Sequence, residues 1–316
     1  MGKVAFVFPG QGAQYVGMGK DIVENYNTAN EIFDLASNAV GYDMKKLCFE
    51  GPEEELKKTE NTQPSILTTC IAMAKVLEEK GLKADITAGL SLGEYASLVI
   101  AGVLKFEDAV ALVKKRGKYM QEAVPIGKGT MAAILGMERD ALENALEKAK
   151  PYGIVEAANF NSPGQIVISG EVEAVEKACE YAKEFGALKA VILPVSAPFH
   201  CSMLVPAGEK LAIELDQIDI DAFNIPVIAN ANADYYGGSS AVKGLLVEQV
   251  SKSVLWEDTV DRMLADGVDT FIEIGPGKSL SQFIKKITKK SKESIRIFNV
   301  EDKESLENVI ENLSTK

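Results

Sequence analysis

Short apolar runs along the chain alternate with stretches in which apolar residues recur at helical spacing. Lys3–Phe8 is one such run, ended by Pro9-Gly10, and residues 86–88 form another. Each leads into a segment of helical period, from about Gly12 in the first case and from Leu92 in the second. Residues 226–229 and 270–274 read as later strands. Helices are expected over 204–215, Trp256–Ala265, 280–287 and Lys303–Leu313. Strands separated by helical segments predict a mostly parallel sheet covered by helices, an α/β fold.

One stretch departs from this order, between the linkers Pro125-Ile126-Gly127-Lys128-Gly129 and Pro194-Val195-Ser196-Ala197-Pro198. It reads as a strand over 130–135 and a helix over 141–150 that Pro151 stops. A hairpin over 154–160 and 165–169 follows, around Asn161-Ser162-Pro163-Gly164, whose composition favours a turn. Val172, Val175, Cys179 and Ala182 make one face of a second helix, closed by Gly186, and residues 187–193 return as a strand. The order βαββαβ is that of a ferredoxin-like unit. The expectation is a core made of residues 1–126 and 197–316, with a small domain, 127–196, inserted into it.

Composition changes the picture mainly by exclusion. The 316 residues are 47% hydrophobic and 25% charged, enough to bury a large core without metals or disulfides. A net charge of -12 argues against nucleic acid, whose phosphates need a basic field. No apolar run approaches the ~20 residues that a membrane-spanning helix requires. The apolar start of the chain is too short for a signal peptide. The four cysteines, Cys48, Cys70, Cys179 and Cys201, show neither CxxC spacing nor clustering, which points to a reducing cytoplasm. A single histidine, His200, excludes a zinc site built on several.

The chemistry gathers where strands meet helices. Gly89-Leu90-Ser91-Leu92-Gly93 follows a strand and precedes a helix, so it reads as a nucleophile elbow with Ser91 at its tip. The following helix aims its N-terminus at the serine, and the Leu92 amide is placed to stabilise an oxyanion. A serine hydroxyl needs a base, and only His200 can supply imidazole. The group that orients the imidazole is not visible at this level; a carboxylate and a carbonyl oxygen both fit. Gln11, flanked by Gly10 and Gly12 after the first strand, is the candidate second oxyanion donor; without the elbow it would read as a tight turn. Cys201, adjacent to the histidine, reads as inert packing.

On the helix spanning 106–124, Arg116 falls at the edge of the apolar face formed by Phe106, Ala109, Val110, Val113, Met120 and Val124, while Lys115 and Lys118 point to solvent. An arginine so placed must pair with something, through either a structural ion pair or a bound carboxylate. The basic run 285–292 reads as a solvated helix face and turn.

Taken together these motifs resemble the malonyl-CoA:acyl carrier protein transacylases of fatty acid synthesis. The likeness runs from Gly10-Gln11-Gly12 through the Gly89–Tyr95 elbow and Lys115-Arg116-Gly117 to Asn159-Phe160-Asn161-Ser162-Pro163-Gly164-Gln165. It continues through Pro198-Phe199-His200 and Gln249 to Glu273-Ile274-Gly275-Pro276-Gly277. The resemblance implies a hydrolase-like core with a ferredoxin-like small domain and the site between them. It implies Ser91 as nucleophile, His200 as base, and the Gln11 and Leu92 amides as oxyanion donors. A carbonyl oxygen at Gln249 would orient the histidine, and Arg116 would hold the malonyl carboxylate. Phe199 is similar to the residue before the histidine in malonyl-selecting members. Malonyl-CoA is then substrate rather than cofactor, acyl carrier protein the acceptor, and a malonyl-serine enzyme the intermediate. Hydrolysis of the same intermediate and a silent carrier-docking module are the competing readings; Arg116 favours transfer over hydrolysis, and intact Ser91, His200 and Gly-flanked Gln11 count against the silent module. One position departs: Leu90 stands where the family usually has histidine.

Overall fold

In the computed structural model, which describes residues 2–195, 197–291 and 294–313, strand β1 (Lys3–Phe8) lies inside a parallel sheet. Its partners are β2 (Ile86–Gly89) and β7 (Val268–Ile274), and β8 (Arg296–Val300) closes the order β2-β1-β7-β8. Ala5, Phe6, Val7 and Phe8 are all fully buried, as a central strand covered on both faces requires. Alternation divides them: Phe6 and Phe8 join one apolar cluster, Ala5 and Val7 another on the opposite face.

The second sheet is antiparallel, built from β3 (Gly129–Leu135), β4 (Val155–Ser162), β5 (Gln165–Glu171) and β6 (Lys189–Ile192) in the order β4-β5-β3-β6. Helices Arg139–Ala149 and Val172–Glu184 complete the βαββαβ order expected from the sequence. Ala132, Ile134, Ile166 and Ile168 pack beneath these helices in a cluster of their own, whereas Met131 and Val167 point the other way, into the main core.

Two expected elements differ. No helix starts near Gly12; the chain stays in turns until helix Lys20–Asn25. Gly12, Gly17 and Gly19 have φ of 103°, 104° and 76°, which a right-handed helix does not accommodate. The strand expected at 226–229 is reduced to two isolated bridges, Thr87 with Val227 in parallel and Ile228 with Tyr235 antiparallel, because the chain turns back so that the Ala229 amide donates to the Asp234 carbonyl. Helices Trp256–Ala265 and Lys303–Leu313 stand where the pattern put them. Lys285, Lys286 and Lys289 are exposed, and Lys292 lies outside the described residues. Among the described residues no helix is long and apolar enough to cross a membrane.

Candidate active site

Ser91 sits between β2 and helix Gly93–Ile100 with φ of 54°, the left-handed region. Such a backbone costs a residue with a side chain roughly 1–2 kcal/mol, so its surroundings must impose it. The glycines show how. A Cβ on Gly89 would lie 2.0 Å from the Gly93 carbonyl carbon, and one on Gly93 would lie 2.1 Å from the Phe8 carbonyl oxygen. The turn closes only without those carbons. Asn230 then fixes it: its side-chain oxygen accepts from the Ser91 amide at 2.6 Å, and its Nδ2 donates to the Gly89 carbonyl at 2.7 Å.

His200 also has a left-handed backbone, with φ of 59°, and is buried. Its Nε2 lies 2.7 Å from Ser91 Oγ, and its Nδ1 lies 2.8 Å from the Gln249 backbone oxygen. A carbonyl can only accept, so the proton resides on Nδ1 and Nε2 offers its lone pair to the serine hydroxyl. The atom facing Nδ1 is therefore a carbonyl oxygen rather than a carboxylate. Burial, and after it the positive field of Arg116, lower the imidazole to about 4, so it is neutral at neutral pH.

Arg116 is fully buried rather than at the edge of its helix face, and Gly117 explains why. A Cβ there would meet the Thr59 carbonyl oxygen at 2.4 Å, so the bare glycine lets helix Phe106–Glu122 press against helix Thr59–Glu79 and carries Arg116 inward. Its guanidinium donates to Gln63 Oε1 at 2.8 Å, Gln249 Oε1 at 2.8 Å and Ser91 Oγ at 3.2 Å. Among the described residues no carboxylate reaches ion-pair distance of it, and its Nε has no partner. Among the described residues Arg116 therefore makes no structural ion pair.

Ser91, His200, Arg116 and Gln63 share a cavity of about 560 Å³, lined also by Gln11, Leu90 and Leu92. The Gln11 and Leu92 amides make no hydrogen bond among the described residues, which leaves both donors available to a ligand oxygen. The antiparallel sheet supplies the facing wall through Met131, Asn159, Asn161 and Val167. A second, larger hollow of about 740 Å³, around Arg139, Phe160 and Ser253, contains none of these residues. Cys201 is buried, its thiol bonded to the Pro198 carbonyl at 3.2 Å and pushed up to about 11 by burial, which leaves it unreactive.

Sequence reasoning missed Asn230 and Gln63, and the side-chain role of Gln249. Asn230 falls one residue past the strand expected at 226–229, and Gln63 lies inside a long buried helix, so no motif called attention to either.

Known proteins resemble this chain along nearly its whole length. The Acyl transferase domain model matches residues 5–312. Malonyl CoA-acyl carrier protein transacylase of Bacillus subtilis is 47% identical over 314 residues, covering 99% of this chain and 98% of that protein. The crystal structure of the enzyme of that name from Clostridium perfringens superposes with a TM-score of 0.95 at 52% identity, covering 99% of this chain and 97% of that one. A malonyl-transacylase in complex with its type II PKS acyl-carrier protein gives a TM-score of 0.94 at 42% identity, over 98% and 99% of the two chains. The chain belongs to the acyl transferase domain family and, within it, to the malonyl CoA-acyl carrier protein transacylases.

Proposed function

We propose that this chain transfers a malonyl group from coenzyme A to the phosphopantetheine thiol of acyl carrier protein, for fatty acid synthesis, through a malonyl-Ser91 intermediate. The observation that carries the reading is Arg116: a buried cation 3.2 Å from the nucleophile, bonded only to neutral oxygens. A cation in that position is complementary to an acyl group bearing its own carboxylate.

His200 Nε2 takes the hydroxyl proton as Ser91 Oγ bonds to the thioester carbon. The carbonyl electron pair moves onto oxygen, facing the Gln11 and Leu92 amides. Collapse re-forms the carbonyl and breaks the carbon–sulfur bond, and coenzyme A leaves with the proton returned by His200. The carrier thiol then attacks malonyl-Ser91 by the same steps in reverse. Docking of the donor carboxylate on Arg116 also cancels part of the field that lowers His200, so the correct substrate strengthens its own base. Every step uses the chain's own groups, with malonyl-CoA as substrate and no cofactor.

The partition into a core of residues 1–126 and 197–316 and a small domain of 127–196 belongs to the same proposal, supported by the separate apolar cluster under the antiparallel sheet. So does a cytoplasmic setting, supported by four buried free thiols.

The test is intact-mass spectrometry after mixing with malonyl-CoA. A malonyl adduct mapped to Ser91, discharged by carrier protein bearing phosphopantetheine, is expected. An adduct elsewhere, or none, rejects the mechanism.

A further inference from the structure

Glu94 is fully buried one residue into the helix that follows the elbow, and the steps above make no use of it. Its Oε1 accepts from the Tyr236 hydroxyl. Its Oε2 accepts from the Asn230 amide at 3.0 Å and from Gln249 Nε2 at 2.6 Å. Gln249 Nε2 also donates to the Ser91 carbonyl at 2.9 Å, while its Oε1 accepts from Arg116 Nη2 at 2.8 Å. The side-chain amide of Gln249 is thereby fixed at both ends. Turned over, it would set its NH₂ against a guanidinium and its oxygen against a carboxylate. Arg116 Nη2 is the same nitrogen that reaches Ser91 Oγ.

We propose that Glu94 is a positioning residue for acyl transfer, orienting Gln249 and, through it, the arginine that meets the donor carboxylate. The proposal rests on the malonyl-transfer reading above. Positioning by hydrogen bonds is separable from a role in charge. Glutamine at 94 keeps an oxygen for Asn230 and Gln249 and turns its NH₂ toward Tyr236, whose hydroxyl can accept as well as donate. Aspartate keeps the charge but is one methylene too short to span from Tyr236 to Gln249.

The experiment measures Ser91 acylation from malonyl-CoA and from acetyl-CoA in the parent, Glu94→Ala, Glu94→Gln and Glu94→Asp, with melting followed alongside. Glu94→Ala should lose malonyl acylation by ~10-fold or more and acetyl acylation by clearly less, because acetyl has no carboxylate for Arg116 to hold. Glu94→Asp should follow Glu94→Ala, and Glu94→Gln should stay within ~3-fold of the parent. Equal losses from both donors would mean that Glu94 only supports the fold, and would overturn the proposal. A glutamine variant as slow as the aspartate one would overturn it too, since a side chain of full reach with its hydrogen bonds kept would then fail to do the work assigned to Glu94. If Glu94→Ala does not fold, the glutamine–aspartate pair decides alone. A parent that takes no malonyl group at Ser91 sinks the transfer reading and this proposal together; a competent parent with an indifferent Glu94→Asp sinks the proposal only.

Discussion

The two sheets serve the cavity in different ways. The parallel sheet presents strand ends: Phe8 and Gly89 are register partners, and the loops that leave them carry Gln11 and Ser91. The antiparallel sheet presents strand middles: Met131, Asn159, Asn161 and Val167 line the cavity, while Ala132, Ile166 and Ile168 beside them fill the sheet's own cluster. Strand ends hold atoms by backbone geometry closed with glycines, and that geometry does not relax. Strand middles hold a wall by side-chain packing, which does. Changes on the parallel side should therefore act on the reaction, and equal changes on the wall should act on fit.

The largest effect tests the parallel side directly. Ser91→Ala should abolish the acyl-enzyme, and His200→Ala should slow its formation by ~10³-fold or more, read by single-turnover mass spectrometry. A His200→Ala protein acylating at the parent rate would break the pairing that the 2.7 Å contact suggests.

A second effect sharpens the contrast through pH, since the wall residues Met131, Asn159, Asn161 and Val167 carry no titrating group in the ordinary range. Burial pushes Glu94 from 4.5 up to about 7, against the bonds from Tyr236, Gln249 and Asn230 and the field of Arg116. Between those values the unfolded chain has released a proton that the folded chain keeps. Its contribution to folding is complete below the lower value and fades as pH rises through the upper one, by about 3 kcal/mol in all. Glutamine has no such proton. Denaturant melts at about pH 4.5 and about pH 7.5 should show Glu94→Gln gaining stability relative to the parent over that interval. A difference that stays constant with pH would remove Glu94 from the titrating groups.

The proposed role of Arg116 separates substrate choice from catalysis and can be tested as such. Charge-assisted bonds of its kind are worth about 1.5–3 kcal/mol, so Arg116→Ala should cut malonyl acylation by about tenfold to a hundredfold. Acetyl acylation should be unchanged or improved. Equal losses from both donors would make the arginine a support of the fold.

The sequence exposed the parallel side more fully than the wall, for a physical reason. Gly89, Gly93 and Gly10 stand where a Cβ would strike backbone, so the turn leaves a mark in residue type. The antiparallel unit was readable as topology, because helical and alternating periods switch in order along it. Its wall residues were not, because Met131 and Val167 obey the same alternation whether they face a cavity or a core. Gln249 shows the other limit. Its backbone oxygen acts on His200, and any residue carries that atom. Only the family resemblance pointed to it. Arg116 was visible as an arginine out of place, yet its full burial depends on Gly117 meeting Thr59, a contact between distant segments.

Leu90 offers the smallest effect and the most direct way to break the comparison, because it lies on the parallel side beside Ser91. Its backbone is tied into the elbow: its amide donates to the Phe8 carbonyl at 3.0 Å, and its carbonyl accepts from the Gly93 amide at 2.9 Å. Its side chain instead packs with the apolar cluster that includes Phe283 and reaches toward Gly10. No hydrogen bond to Ser91, His200 or Arg116 comes from that side chain, nor can it from an aliphatic group. Leu90→His, which restores the usual family residue, should leave the backbone of the turn as it is and change transfer to carrier protein by less than about tenfold. The measurement is the steady-state rate of malonyl transfer, with hydrolysis of malonyl-Ser91 followed in parallel. A gain of several orders of magnitude would mean that the side chain at this position, and not the closed turn beneath it, limits the reaction. The rule that strand-end geometry carries the chemistry would then fail at the residue next to the serine.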